Sequence, residues 1–289
     1  MSSKKIFDAV IIGSGINSLV AAAVLSKSGW RILVCERNDR AGGAIRTEQA
    51  TLPGFTHELL SSWHPLFVGG AAYALLKDDL DKKGLIYNNT ESPTGVICKE
   101  GSAILFTNPE KTLAEFAKLS DSDSWTKMLA EFMPKIALAF GLLGADLWRL
   151  SSLKLARTAR KRFGNRGLVA TGAELLEPAQ PWRDRQFTSP VSKALLAPWA
   201  LHNGMGPDDA GSAFITKVIS AAIALGGMPV PVGGGIKLVD ALVSIISDHG
   251  GEVLTNADVA KVLVKKNKAY GVKLSNGQIF ESKRAVLAS

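Results

Sequence analysis

Ile6-Phe7-Asp8-Ala9-Val10-Ile11-Ile12-Gly13-Ser14-Gly15-Ile16-Asn17-Ser18 opens the chain with an apolar run that feeds into a glycine turn. An alanine-rich stretch over residues 19–28 follows, then Gly29 and a second apolar run, Ile32-Leu33-Val34-Cys35, closed by Glu36. Strand, glycine turn, helix, strand and acid in this order predict a dinucleotide-binding βαβ unit. Each part has a physical task. Gly13 allows the tight turn, and Gly15 lets the backbone approach a pyrophosphate on the positive end of the helix that starts there. Ile16, Asn17 and Ser18 belong to the same turn, and Ser18 replaces the third glycine with a side chain small enough for close helix–strand packing. Glu36 lies 21 residues after Gly15, where its carboxylate can accept hydrogen bonds from both ribose hydroxyls of an adenosine, with Arg37 beside it. An acid at this place disfavours a 2′-phosphate, so NADP is not expected. A glycine turn in an ordinary α/β core is the plainer alternative, and the agreement of all the parts argues against it.

Composition narrows the class. The chain has 289 residues, 46% hydrophobic and 21% charged, enough for one large globular domain or two smaller ones. Two cysteines, Cys35 and Cys98, without a CxxC pair, exclude a disulfide framework and a dithiol redox centre and fit a reducing compartment. Four histidines, none at ligand spacing with a cysteine or acid, give no case for zinc. Lys4-Lys5 before an apolar run imitates the start of a signal peptide, but the glycine interruption and the acid-terminated strand beyond it favour the structural reading. No stretch reaches the roughly 20 apolar residues of a membrane span, so the expected location is cytoplasmic or membrane-peripheral.

The formal charge of +8 is concentrated in one place. Between Leu147 and Ala173 stand Arg149, Lys154, Arg157, Arg160, Lys161, Arg162 and Arg166, with no acid among them. Such a cluster suits a phosphate-rich partner. Nucleic acid is not expected, because neither a stacking pattern nor a nucleic-acid motif accompanies the charge. Peripheral membrane contact through residues 149–166 and a solvated helix face with no partner both stay open.

Past Glu36 the sequence reads Arg37-Asn38-Asp39-Arg40-Ala41-Gly42-Gly43-Ala44-Ile45-Arg46-Thr47. The Gly42–Gly43 doublet sets a second close-approach backbone beside the same pyrophosphate, and Arg40 and Arg46 add charge-assisted donors. Nicotinamide dehydrogenases with the same first βαβ do not need this element. With Pro53-Gly54-Phe55 after it, the pattern resembles the FAD-containing amine oxidase and phytoene desaturase superfamily, including its carotenoid–retinoid oxidoreductases. A second part of the resemblance lies at Met228-Pro229-Val230-Pro231-Val232-Gly233-Gly234-Gly235-Ile236, a helix over residues 238–249, Gly250-Gly251, a strand at residues 252–254 and a meander. The meander strands read as residues 259–264, 269–274 and 285–288, with Asn276-Gly277 as a hairpin turn.

The resemblance implies an α/β fold: a Rossmann-like FAD/NAD(P)-binding domain of the GR2 type with an inserted α+β substrate domain. The expected boundaries are a first FAD segment at 1–65, the insert at 66–226 and a second FAD segment at 227–289. FAD is the implied cofactor. Gly13, Gly15 and Ser18 would receive the pyrophosphate, Glu36 the ribose, Arg40, Gly42 and Gly43 the pyrophosphate and ribityl side, and the backbone of Val259 the adenine. Within the insert, helices are expected at residues 71–83, 108–119, from a cap at Ser122 or Ser124 through Phe140, and at 171–177, 189–201 and 213–225, with turns around Pro178 and Pro181. Residues 137–150 suit a core helix or the wall of an apolar substrate tunnel. His57 and His64 tempt a general-base role, though a lone histidine is usually a satisfied hydrogen bonder, and no catalytic residue is assigned.

The function implied is hydride abstraction from an apolar, isoprenoid-class small molecule by flavin. A flavin amine oxidase and a truncated, non-catalytic nucleotide-binding protein are the alternatives. Family members continue beyond the strand at residues 285–288, so a fragment or a degenerate copy is expected, with a final strand left uncovered at Ser289.

Overall fold

In the computed structural model, strand β1 (Ile6–Ile12) buries Phe7, Ala9, Val10 and Ile11 on its two faces, as a strand covered on both sides requires. Residues 5–146, 148–150 and 152–288 are described, so Lys4, Leu147 and Ser289 lie outside the described residues. Helix α1 (Ile16–Lys27) begins three residues before the stretch expected at 19–28. Its buried residues, Ser18, Leu19, Ala22, Ala23 and Ser26, recur at helical spacing and are mostly small, which brings the helix axis close to the sheet. Strand β2 (Ile32–Cys35) is buried throughout. Helix α2 (Ala71–Lys82) turns Leu76 and Leu80, one turn apart, into the same core.

Burial sets the chemistry of the cysteines. Cys35 is 1% exposed, and burial pushes its thiol up to about 12, whereas Cys98 is only half-buried. Because the thiolate is the nucleophile, iodoacetamide is expected to alkylate Cys98 in the native protein and to reach Cys35 only on unfolding. Peptide mass spectrometry after native and denatured labelling checks this, and equal native labelling of the two would contradict it.

The next elements form a unit of their own. β3 (Thr94–Cys98) and β4 (Gly101–Leu105) make a hairpin. α3 (Pro109–Lys118) is capped by Asn108, whose side chain accepts from the backbone N–H groups of Glu110 and Lys111, with Pro109 at the helix start. α4 (Ser122–Phe132) departs from expectation at both ends. Asp121, not a serine, stands at its N-cap, and the helix stops where Pro134 removes a backbone donor, giving a 3₁₀ turn (Met133–Lys135) before α5 (Ile136–Leu143). The Asp121 carboxylate is buried and accepts from Thr188 N, Thr188 Oγ1 and Ser189 N at 2.8, 2.8 and 2.9 Å, pinning the chain ahead of the helix at 190. α5 is not a core helix: Ala139 alone is fully buried, and Phe140 and Leu143 are exposed.

α6 (Ser152–Leu175) carries the basic stretch and continues through the helix expected from 171, with a non-helical Gly164 (φ 69°) dividing it in two. α7 (Ala179–Gln186) replaces the turns expected around the prolines. Pro178 precedes the helix and Pro181 lies in its first turn, where a missing N–H breaks no intrahelical bond. α8 (Pro190–Leu196) stops before Pro198, which opens a separate short helix, and α9 (Ser212–Gly226) follows. Phe116 stacks on Trp125 at 4.6 Å between centroids, and Phe187 adjoins both Phe116 and Trp182.

The chain then returns to the first sheet. α10 (Ile236–Asp248) buries Leu238, Val239, Leu242, Ile245 and Ile246 at helical spacing. β5 (Glu252–Leu254), β6 (Val259–Lys265), β7 (Lys268–Leu274) and β8 (Ile279–Ala288) complete a six-stranded sheet in the order β6-β7-β8-β1-β2-β5. β8 pairs antiparallel with β7 through residues 279–281 and parallel with β1 up to Ala288. The final strand is therefore internal to the sheet, not the uncovered edge expected, because its ten residues serve two neighbours in succession.

Two compact units result, Met1–Asn88 with Pro229–Ser289, and Asn89–Met228. The expected first boundary at 65–66 moves to 88–89 because Leu76, Leu80 and Leu85 belong to the core between α1, α10 and the sheet. The other face of the sheet is covered by a smaller cluster around Phe7, Val10, Leu33, Val272 and Phe280.

Candidate dinucleotide site

Two glycine loops meet at the end of β1. Gly13 turns the chain in the left-handed region (φ 87°), and its N–H donates to the carbonyl of Cys35 at 2.8 Å, tying the turn to β2. Gly15 then serves as the N-cap of α1 and provides no side-chain cap, so the first amides of the helix have no partner from a capping side chain. A Cβ on Gly15 would meet nothing within 4 Å. The second loop lies directly against the first. Gly15 and Gly42 form a parallel bridge, the Gly42 N–H donates to Ser14 O at 3.1 Å, and a Cβ on Gly43 would sit 2.9 Å from Gly15 Cα. The sequence reading of a second close-approach backbone beside the turn is thus realised in geometry. Ile16 is half-buried, Asn17 is exposed and Ser18 is buried where the helix meets the sheet.

Glu36 is 5% exposed and its carboxylate is filled with donors. Oε2 accepts from Ser14 N at 2.9 Å and Ser14 Oγ at 2.5 Å, and Oε1 accepts from Asn38 N at 2.9 Å and Asn38 Nδ2 at 2.8 Å. Burial works to raise its pKa, but these bonds outweigh burial and hold it below the ordinary glutamate value. Two of the donors are backbone and fixed, while the other two are rotatable side chains. Ser14 and Asn38 were quoted with the motif but given no role. An Asx-type residue two positions past the acid is the signal that would have found Asn38.

The other predicted residues divide. Arg37 is exposed beside the acid. Arg40 and Arg46 both pair with Glu48, at 2.6 and 2.7 Å, so neither guanidinium is a free donor toward the turn. Val259 opens β6, and the segment before it is zipped to the acid end of the site. Glu36 N donates to Leu254 O, Ala257 N to Glu36 O and Asn256 N to Asn38 O, each at 2.8 Å.

A second glycine-preceded helix in the same unit is a useful control. At the start of α10, Glu58 Oε1 accepts from Gly235 N at 3.0 Å and Thr47 Oγ1 accepts from Ile236 N at 3.0 Å. A Cβ on Gly234 would lie 2.5 Å from Thr47 Cγ2. The chain fills this helix start with its own acid and hydroxyl and leaves the start of α1 without either. The two candidate histidines are both engaged. His57 Nε2 is 2.6 Å from Thr51 Oγ1, and the buried His64 Nδ1 is 3.0 Å from Tyr87 Oη. Burial lowers the His64 pKa against the opposing charge of Glu58, so the ring is held neutral.

Comparison with known proteins agrees with this geometry. Residues 11–79 match the family model of the NAD(P)-binding Rossmann-like domain. The chain is 31% identical to pyridine nucleotide-disulfide oxidoreductase domain-containing protein 2 of Rattus norvegicus, over 98% of this chain and 53% of that protein. It is 27% identical to the chloroplastic prolycopene isomerase 1 of an Oncidium hybrid cultivar, over 97% of this chain and 48% of that protein. The chain therefore spans about half the length of the curated relatives it matches. Among solved structures, wild-type putrescine oxidase bound to putrescine shares the fold with a TM-score of 0.59 at 19% identity, over 98% of this chain and 58% of that one.

Proposed function

The chain belongs to the phytoene desaturase-like, carotenoid–retinoid family of FAD-dependent oxidoreductases within the flavin amine oxidase superfamily, and from that premise we propose that it holds FAD by its ADP end for hydride abstraction from an apolar, isoprenoid-class substrate. The observation that carries the cofactor half is the start of α1. It has no side-chain cap, it has open space at Gly15, and it is flanked by a buried acid on one side and the Gly42–Gly43 loop on the other. The filled start of α10 rules out a general preference of this fold for bare helix ends.

In this reading the residues divide the work. Gly13, Gly15 and Ser18 accommodate the pyrophosphate, with the amides of Ile16 and Asn17 directed along the helix dipole. Glu36 takes the ribose hydroxyls after Ser14 Oγ and Asn38 Nδ2 rotate away, while the two backbone donors keep its carboxylate in place. Arg37, Gly42 and Gly43 border the same ligand, Val259 offers backbone to the adenine, and Arg40 contributes only by leaving Glu48. Bound FAD supplies the hydride acceptor, and the protein supplies binding and alignment. The isoprenoid class draws its support from the likeness to the prolycopene isomerase, and the engaged state of His57 and His64 is compatible with a reaction that needs no side-chain base.

Purification of the chain and a visible spectrum test the proposal. Bound flavin with reducible absorbance near ~450 nm is expected, since the chromophore belongs to the cofactor. A colourless protein that binds ADP but not FAD would overturn the redox half and leave a nucleotide-binding protein.

A further inference from the structure

Trp148, Leu150 and Leu153 are 98%, 84% and 64% exposed, and they open the same stretch that carries the basic cluster. We propose that this surface, the turn at 148–150 with the outward face of α6 up to Gly164, seats on an anionic phospholipid bilayer. α6 keeps Leu155, Ala159 and Phe163 on its inner side at a spacing of four. At 100° per residue the opposite side presents Leu153, Arg157, Arg160 and Lys161, with Lys154 at its margin. Lys154, Arg157, Arg160, Lys161, Arg162 and Arg166 are all exposed, and among the described residues none of them forms an ion pair. The neighbouring Arg149 pairs with Asp146 at 3.0 Å, and Arg160 Nε donates to Asn165 Oδ1 at 2.8 Å.

Charge complementarity and the apolar tip together select the occupant. A polyanion alone would neutralise the cations and leave Leu150 and Leu153 in water. An apolar partner alone would take the leucines and bury uncompensated charge, which is costly. An anionic bilayer satisfies both, because a tryptophan and leucines lodge at the headgroup boundary while lysines and arginines remain beside the phosphates. No helix among the described residues is long and apolar enough to cross a membrane, so the contact is a surface one. The proposal does not depend on the redox reading.

The test uses the full chain and phosphatidylcholine vesicles with and without phosphatidylglycerol. Co-sedimentation is expected with the anionic vesicles only, and it should weaken as salt screens the attraction. The variant Arg157→Gln/Arg160→Gln/Lys161→Gln should partition about 100-fold less, at roughly fivefold per cation. Trp148→Ala/Leu150→Ala/Leu153→Ala should also bind less, and Trp148→Phe should remove a blue shift in fluorescence that accompanies wild-type binding. All these positions are exposed, and an unchanged unfolding midpoint confirms that the variants fold. Absence of binding to anionic vesicles, or equal binding by the triple-glutamine variant, would overturn the proposal. Binding of duplex DNA at least as tight as that of vesicles, and indifferent to the apolar substitutions, would overturn it in favour of a polyanion.

Discussion

Glu36→Ala is expected to weaken ADP binding by about 100-fold and to destabilise the fold by about 3 kcal/mol. The two effects come from different hydrogen bonds to one carboxylate. Ser14 N and Asn38 N, each at 2.9 Å, are backbone donors inside a buried turn, and without the carboxylate they have nowhere to turn. Ser14 Oγ and Asn38 Nδ2 can rotate, so their loss costs little. Those are also the places that ribose hydroxyls would occupy, and two charge-assisted bonds to ribose correspond to the expected affinity loss. Glu36→Gln keeps one oxygen acceptor, so it should retain more of the fold than of the affinity. The pH dependence follows from the direction of the shift. The native pKa lies below the ordinary glutamate value, so the stabilisation is complete above about pH 4.5 and is lost as pH falls through the lower native value. Wild-type protein should lose that component on acidification, and Glu36→Gln should lack it. Calorimetric titration with ADP and urea unfolding at several pH values measure both quantities. Wild-type ADP affinity in both variants would remove Glu36 from the site.

The parts of this molecule that were legible in its sequence are those fixed by short-range rules. The Ile6–Ile12 run, the glycine turn and the Ile32–Cys35 run predicted the first βαβ because strand burial, turn chemistry and helix start fall within one short stretch. The helix at Ile236–Asp248 and the meander after it were equally readable from apolar spacing and Asn276-Gly277. Errors arose where one residue type has two meanings. Pro181 was read as a breaker, yet it sits in a first turn that tolerates it, while Pro134 does break a helix that apolar spacing had carried on to Phe140. Serines near 122 looked like caps, but Asp121 takes the N-cap position and spends its carboxylate on Thr188 and Ser189, a contact across 67 residues that no local pattern encodes. Within the site, the backbone devices were predictable and the side-chain partners were not. Arg40 and Arg46 have the right charge and place, and the model pairs them with Glu48.

Gly43→Ala should cost about 3 kcal/mol of stability and remove measurable ADP binding, which makes it the sharpest test of the two-loop site. Two penalties act together. Gly43 has φ +59°, a conformation that costs an L-residue roughly 1–2 kcal/mol. Its new Cβ would also lie 2.9 Å from Gly15 Cα, and that neighbour is backbone with no rotamer to change. Relief requires the Gly42–Gly43 loop to lift off the turn, breaking the bond from Gly42 N to Ser14 O and moving the wall of the site. Gly29→Ala separates conformational strain from the clash. Gly29 has φ +82° but nothing within 4 Å of its Cβ position, and it follows the far end of α1, so it should lose about 1 kcal/mol and keep its ADP affinity. Urea unfolding and ADP titration of the two variants side by side make the comparison. If Gly43→Ala binds ADP as Gly29→Ala does, the doublet is a spacer, and the features that favour a flavin dinucleotide over a plain nicotinamide one reduce to sequence likeness alone.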